Sequence, residues 1–301
     1  MLLQKKKLKF PNVSIVIATY NRANTLRKVL LAMLKLDYPA RYEIIVVNDG
    51  STDNTKEMLT REFLGNKKIT IVNFEKNQGV CKARNEGIKL ARYEIVVNMD
   101  HDCIPSKTWL RDLIKGFTSK KVGVVSSYGG FGGTSTAFRK ELLEKVGGYD
   151  EDYRYYREDT DLTFKIIELG YEYKLVKADY FHDHIETKPA GFFGLLKYAF
   201  QRLRYHQNDV LLYKKHPNEL TRKFLHIRFG FLVDPIYDFK VATGLWKNKG
   251  SFELSSPRGI VFIQNKTPLH AFAIVLAGIG YVVAVKLARF WASIKLGKLL
   301  I

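Results

Sequence analysis

Cysteine is nearly absent from this 301-residue chain, which holds only Cys81 and Cys103. Two thiols build no disulfide framework, and a chain of this length buries a sizeable core without one. Both are read as plain core or loop residues in a reducing compartment. Also missing are an internal repeat, a low-complexity linker and an apolar run behind the basic start Met1–Lys7. The N-terminus is therefore not read as a secretory signal. With 46% hydrophobic and 26% charged residues, disordered, collagen-like and coiled-coil chains are excluded. Acidic residues are scarce beside basic ones: 30 Asp and Glu face 49 Lys and Arg, for a net charge of +19. Such a surface favours nucleic acid, anionic lipid or phosphorylated small molecules.

The length allows two domains at most, and the charge excess is uneven. Residues 186–301 hold 18 Lys and Arg against 6 Asp and Glu, whereas residues 1–185 hold 31 against 24. The expected division is a basic tail over 1–10, a catalytic-type domain over 11–205 and a helical, basic region over 206–301.

Val13–Thr19 and Tyr42–Asn48 are short, β-branched apolar runs, read as strands buried on both faces. Between them Leu26, Val29, Leu30 and Met33 recur at helical spacing. Further strands are expected over 68–74 and 94–99, with helices starting near Asp53 and spanning about 80–91. The alternation predicts an α/β fold with a mostly parallel sheet flanked by helices. In such sheets ligands bind at the carboxyl ends of the strands. Asp49, Gly79, Asp100 and Asp102 all fall at or just beyond those ends.

Asp100 and Asp102 are the sharpest local signal. Two carboxylates two residues apart in extended chain point to one side and can share a hard cation such as Mg²⁺ or Mn²⁺. The plain alternative is a solvated acidic loop, against which stands the wholly apolar strand before them. Asp49 lies in a turn-forming stretch, Asn48–Ser51, and either shapes the turn or accepts a hydrogen bond from a base or ribose. Gly79 opens a helix that either presents backbone amides and Arg84 to an anion or simply begins there. Gly129–Gly133 is a glycine-dense loop, permitting close backbone approach or only flexibility. Glu158 and Asp159 begin a helix, where acidic residues suit the dipole; alternatively, Asp159 is a general base. His182 and His184 face the same way and either complete a metal shell or form polar surface.

No glycine-rich phosphate loop follows the first strand, where Ala18–Arg22 stands, and no Gly-Lys-Ser/Thr motif occurs. That counts against a nucleotidyltransferase. A basic nucleic-acid-binding protein fits the net charge and the aromatic and arginine residues of 198–205. It leaves the strand-end carboxylates unexplained, so nucleic acid is not an expected partner.

Several short pieces occur in a telling order: Val13–Arg22, Val47–Asp53, Asn77–Gly79 with Ala83–Asn85, Asp100 with Asp102, Gly132 and Gly133 with Ala137–Arg139, and Glu158 with Asp159. Over roughly residues 11–205 the chain resembles the family-2 glycosyltransferases. The resemblance implies a GT-A-type, Rossmann-like fold and inverting sugar transfer from a nucleotide-diphosphate donor, usually UDP-linked. By the same resemblance Ala18, Thr19 and Tyr20 line the nucleotide, with Arg22 near the phosphates. Asp49 reads the base, and Gly79 and Arg84 lie beside the nucleotide. Asp100 and Asp102 hold ribose and the diphosphate with Mn²⁺ or Mg²⁺, and His182, with His184 in reserve, joins the metal. Asp159 is implied as the base, with Gly132, Gly133 and Glu158 bordering acceptor and diphosphate. Gln201, Arg204 and Tyr205 are similar to the Gln-x-x-Arg-Trp element of processive polysaccharide synthases. Tyrosine replaces tryptophan, and the long flanking membrane segments are missing, so one or a few sugars are expected per acceptor.

The C-terminal region is expected to face a membrane. Leu269–Val285 is a 17-residue run without a formal charge, at the short limit of ~17 residues for a spanning helix. Beyond it Leu287, Phe290, Trp291 and Ile294 alternate with Arg289, Lys295 and Lys298. Together with Lys5, Lys6, Lys7 and Lys9, these basic residues suit an anionic leaflet, at ~1 kcal/mol each. The run either crosses the membrane, lies on it or is buried in the fold. The expected setting is the cytoplasmic face, with a lipid-linked or cell-surface glycan precursor as acceptor.

Overall fold

The structure is a computed structural model that describes residues 10–153, 155–183, 191–243 and 268–301. Most of the expected basic tail, with its lysine cluster, lies outside these residues, as does His184. The chain divides into two compact units, Met1–His184 and Ile185–Ile301.

The first unit begins as strand and helix in alternation: β1 (Val13–Thr19), α1 (Ala23–Met33), β2 (Tyr42–Asn48), α2 (Thr55–Phe63), β3 (Ile69–Asn73), α3 (Val80–Leu90) and β4 (Ile95–Asn98). It continues through β5 (Cys103–Pro105), α4 (Trp109–Ile114), β6 (Val122–Ser126), β7 (Thr136–Arg139), α5 (Lys140–Val146), α6 (Glu158–Glu168), β8 (Glu172–Leu175) and β9 (Tyr180–His182). A seven-stranded sheet forms in the order β3-β2-β1-β4-β7-β6-β8. It is mostly parallel, as the alternation requires, with β7 antiparallel to both neighbours. The reversal has a simple cause: the 127–135 connection is shorter than the dozen or so residues a parallel crossover needs.

Every residue of β2 is buried, and nearly every residue of β1, which explains their unbroken apolar character. On one face Val13, Ile15, Ile17, Ile44 and Val46 pack with Leu26, Val29, Leu30 and Met33 of α1. Each such side chain, fully buried, contributes roughly 1.5–3 kcal/mol. On the opposite face α3 lies close to β1: a Cβ on Gly87 would stand 2.4 Å from Val16 Cγ1. That contact fixes the height of α3, and with it Arg84, above the sheet.

Two short strands follow α6. β8 extends the main sheet, and β9 leaves it to pair antiparallel with β5, Cys103 opposite His182.

The second unit holds α7 (Gly191–Tyr205), α8 (Gln207–Lys215), α9 (Glu219–Phe224), the hairpin β10 (Ile227–Arg228) and β11 (Leu232–Val233), α10 (Pro235–Thr243) and α11 (Pro268–Leu296). It is mainly helical, as expected. The boundary differs, falling at 184/185 rather than 205/206, because α7 packs on α8 and α11.

Candidate active site

The carboxyl ends of β1, β2 and β4 share one rim of the sheet, so loops distant in sequence meet there. Asp49 is buried at the end of β2. Its Oδ1 accepts the Gln78 amide at 2.7 Å and its Oδ2 the Gly79 amide at 3.0 Å. The amides of the two residues just before α3 are thus engaged by an anion of the protein itself. Each carboxylate oxygen keeps a further lone pair. Gly50 has φ +66°, and a Cβ there would stand 2.3 Å from the Lys76 carbonyl carbon. Only glycine lets the turn pass so close. Thr19 is buried, with no hydrogen-bond partner for its Oγ1 among the described residues, while Ala18 is half-buried and Tyr20 and Arg22 are exposed. His101 donates from Nδ1 to the Ala18 carbonyl at 3.2 Å. Burial holds its pKa below the ordinary value.

Arg84 is not presented to solvent. Its guanidinium is buried and lies 3.1 Å from Asp100 Oδ1, 3.2 Å from Glu158 Oε1 and 3.2 Å from Asp159 Oδ1. The guanidinium, read from sequence as offered to a ligand anion, is shared among three carboxyl groups. The Tyr149 ring stacks beneath it at 5.1 Å, and the Tyr149 hydroxyl donates to Asp159 Oδ1 at 3.0 Å. Burial above all, then the neighbouring Asp159, raises Glu158 to about 7. Burial likewise lifts Asp159 above the ordinary carboxylate range, against the opposing pull of Arg84. Three acids around one arginine leave the cluster short of positive charge, which favours a proton or a cation nearby.

Asp102 and His182 are 80 residues apart in sequence and meet because β5 pairs with β9. Asp102 Oδ2 lies 3.2 Å from His182 Nε2. Cys103 Sγ lies 3.6 Å from the other oxygen, Oδ1, and burial pushes that thiol well above its ordinary pKa, so it remains protonated. A carboxylate and an imidazole, both partly exposed, form a donor set that fits Mn²⁺ or Mg²⁺. Asp100 is two residues away, with Oδ1 turned to Arg84.

The glycine loop is packed rather than merely flexible. Gly132 has φ +127°, and a Cβ there would lie 2.8 Å from the Asp159 carbonyl oxygen and 2.9 Å from Asp159 Cβ. A Cβ on Gly133 would lie 2.6 Å from the Tyr128 ring. The loop is pressed against the start of α6, and its missing side chains make room for Asp159.

A mostly parallel sheet, acids at its strand ends and a late histidine beside the second acid stand together in this unit. The profile described as Glycosyl transferase family 2 matches residues 14–185, more than half of the chain. The chain belongs to this family. It is similar to the poly-β-1,6-N-acetyl-D-glucosamine synthase of Staphylococcus epidermidis, 30% identical over 210 residues, covering 58% of this chain and 50% of that protein. The family-2 chain thus spans about half the length of that relative. Glycosyltransferase AglE of Haloferax volcanii is 28% identical over 260 residues, 75% of this chain and 83% of its own. Among solved structures, the mannosyltransferase PcManGT from Pyrobaculum calidifontis, in complex with GDP-Man and Mn²⁺, superposes with a TM-score of 0.64. It is 21% identical over 94% of this chain and 88% of that one. That likeness shows a shared GT-A-type fold.

Two residues that shape this cluster were not given a role from sequence. Tyr149 was not singled out, and Asn85 stood in a quoted motif without a role. Asn85 Nδ2 donates to the Tyr149 carbonyl and Asn85 Oδ1 accepts the Tyr149 amide, both at 2.8 Å. Gly148, at φ +71°, leaves space for this clamp, since a Cβ there would lie 2.6 Å from Asn85 Oδ1. The Gly147–Gly148 pair directly before Tyr149 was the available signal. Gln201, Arg204 and Tyr205 lie in α7 of the second unit, where Gln201 Nε2 donates to the Tyr205 hydroxyl at 3.0 Å.

Proposed function

We propose that the chain moves a sugar from a nucleoside-diphosphate donor, UDP-linked, to an acceptor hydroxyl with inversion at the anomeric carbon. The observation that carries this reading is Asp159: a carboxyl lifted above its ordinary range, backed by Gly132 and held by Tyr149 and Arg84. As the acceptor oxygen bonds to the anomeric carbon, the bond from that carbon to the diphosphate oxygen breaks. The electron pair leaves with the diphosphate, and the acceptor proton passes to Asp159. One base suffices for a single displacement, and no enzyme nucleophile is needed.

Asp102 and His182, with Asp100, are the residues to hold Mn²⁺ or Mg²⁺; a cation bound there neutralises the charge that grows on the leaving diphosphate. Ala18, Thr19 and Tyr20 line the nucleotide, and Arg22 serves its phosphates. Asp49 has lone pairs left for a base N–H, with Gly79 and Arg84 alongside. Gly132, Gly133 and Glu158 border acceptor and diphosphate. Gln201, Arg204 and Tyr205 serve the acceptor, a lipid-linked or glycan precursor held at the cytoplasmic face of a membrane, and one or a few sugars are added.

A panel of UDP- and GDP-sugars, assayed for turnover with and without Mn²⁺, tests the reading. One UDP-sugar should turn over in a metal-dependent way. Asp159→Asn should still bind it while losing transfer by roughly 10²–10⁴-fold, the range for a lost general base. Full activity in that variant would move the role to another group.

A further inference from the structure

Helix α11 is amphipathic in an unusual sense, because its two central charges, Lys286 and Arg289, face inward. Leu269, Phe272, Leu276, Ile279, Val283, Leu287, Phe290 and Ile294 are all exposed and recur every three or four residues, forming one continuous stripe. Trp291, 59% exposed, borders the stripe. The inward face carries Val285, Arg289, Ala292 and Ser293, all buried. Arg289 pairs with Asp209 of α8 at 3.0 Å and with Asp238 of α10 at 2.6 Å, and Lys286 reaches Asp238 at 3.0 Å.

The apolar surface is wider than one helix. A groove of about 510 Å³ runs between α7 and α11, lined by Phe200, Leu203, Leu287, Phe290 and Trp291, with Arg204 at its edge. A second, of about 370 Å³, lies between α11 and the β11–α10 segment, lined by Leu232, Pro235, Val283 and Leu287. Such a face needs a cover. Charge selects which one: the unit that carries it has 18 Lys and Arg against 6 Asp and Glu. That excess repels a second copy and attracts an anionic surface.

Val275–Leu296 is long and apolar enough to cross a bilayer, yet only 22% of its apolar window is buried. Lys286 and Arg289 sit in its middle, tied to α8 and α10. Those helices carry Lys214, Lys215 and Lys240, which a crossing would drag into hydrocarbon. We infer that α11 lies along an anionic membrane surface, its stripe in the headgroup–acyl boundary, and does not cross it. Trp291 suits that depth. The inference rests on the reading of a membrane-held acceptor and gives its geometry.

The full chain is mixed with phosphatidylcholine vesicles, with or without 30% phosphatidylglycerol, and floated. Binding should be at least tenfold tighter to the anionic vesicles and should weaken with salt. Ile279→Glu with Leu287→Glu, both on the outer face, should abolish it while the unfolding transition stays unchanged. Quenching by lipids brominated at shallow or deep positions then reads depth. Trp291, and a tryptophan placed by Val283→Trp in a Trp291→Phe chain, should both be quenched best by the shallow label. A deep position for residue 283 means a crossing helix and overturns the inference. A vesicle-free dimer abolished by the same two glutamates means a second copy and overturns it as well. A monomer that binds neither vesicle overturns both the inference and the membrane-held acceptor. Sugar turnover by that preparation then shows whether the transfer reading itself survives.

Discussion

Arg84 and Tyr149 both address Oδ1 of Asp159, which leaves Oδ2 for the proton that the proposed function assigns to this carboxyl. The arginine and the phenol therefore do different work from the base they hold. The Tyr149 hydroxyl bonds the charged form of Asp159 and pulls its pKa down, against the lift from burial. Removing it should raise the carboxyl further. Tyr149→Phe should thus shift the rising, acidic limb of the pH–rate profile to higher pH, with kcat reduced and the KM for donor little changed. An unshifted limb would make Tyr149 a packing residue only. Asp49, Asp100, Asp102 and Asp159 were singled out in sequence by the order of the short motifs, since a turn, a solvated loop or a helix start accounts for each acid taken alone. Arg84 was singled out in sequence as a candidate but not in its setting, since three of its partners come from segments 16 to 75 residues away. Tyr149 was not legible at all. Its role depends on a clamp from Asn85, and nothing in local spacing reports that contact.

At the scale of elements, the glycine loop and the start of α6 act as one part. Gly132→Ala combines a side chain at φ +127° with a Cβ inside contact distance of Asp159. The base must move, and displacements near 1 Å cost on the order of 10²-fold in rate. The expected outcome is a kcat loss of tenfold or more with donor binding kept, measured by steady-state kinetics. In the second unit, Arg289 joins α11 to α8 and α10 through buried acids. Arg289→Ala leaves those carboxylates without their guanidinium and should destabilise the unit by about 3–5 kcal/mol, read from a denaturant melt. The strands β1 to β4 were readable from β-branched runs and their spacing. β9 had no such signal, because its partner β5 is distant in sequence and pairing leaves no periodic trace. The split at 184/185 was missed for a related reason: α7 reads as the end of the catalytic segment, yet its packing partners come later in the chain.

For the whole molecule, the net charge of +19 divides along the same line as the fold. A less basic α/β unit carries the strand-end acids and His182, and a more strongly basic helical unit carries the exposed stripe. Composition alone pointed to an anionic partner without choosing one, and the proposed choice of a nucleotide diphosphate came with the family resemblance. Asp102 carries the proposed metal and diphosphate contact. Calorimetric titration of UDP, with and without Mn²⁺, into the full chain and into Asp102→Ala tests it directly. The account predicts Mn²⁺-dependent binding by the unaltered chain that falls at least tenfold in the variant. Equal affinity in the two proteins, or no dependence on the metal, would contradict it.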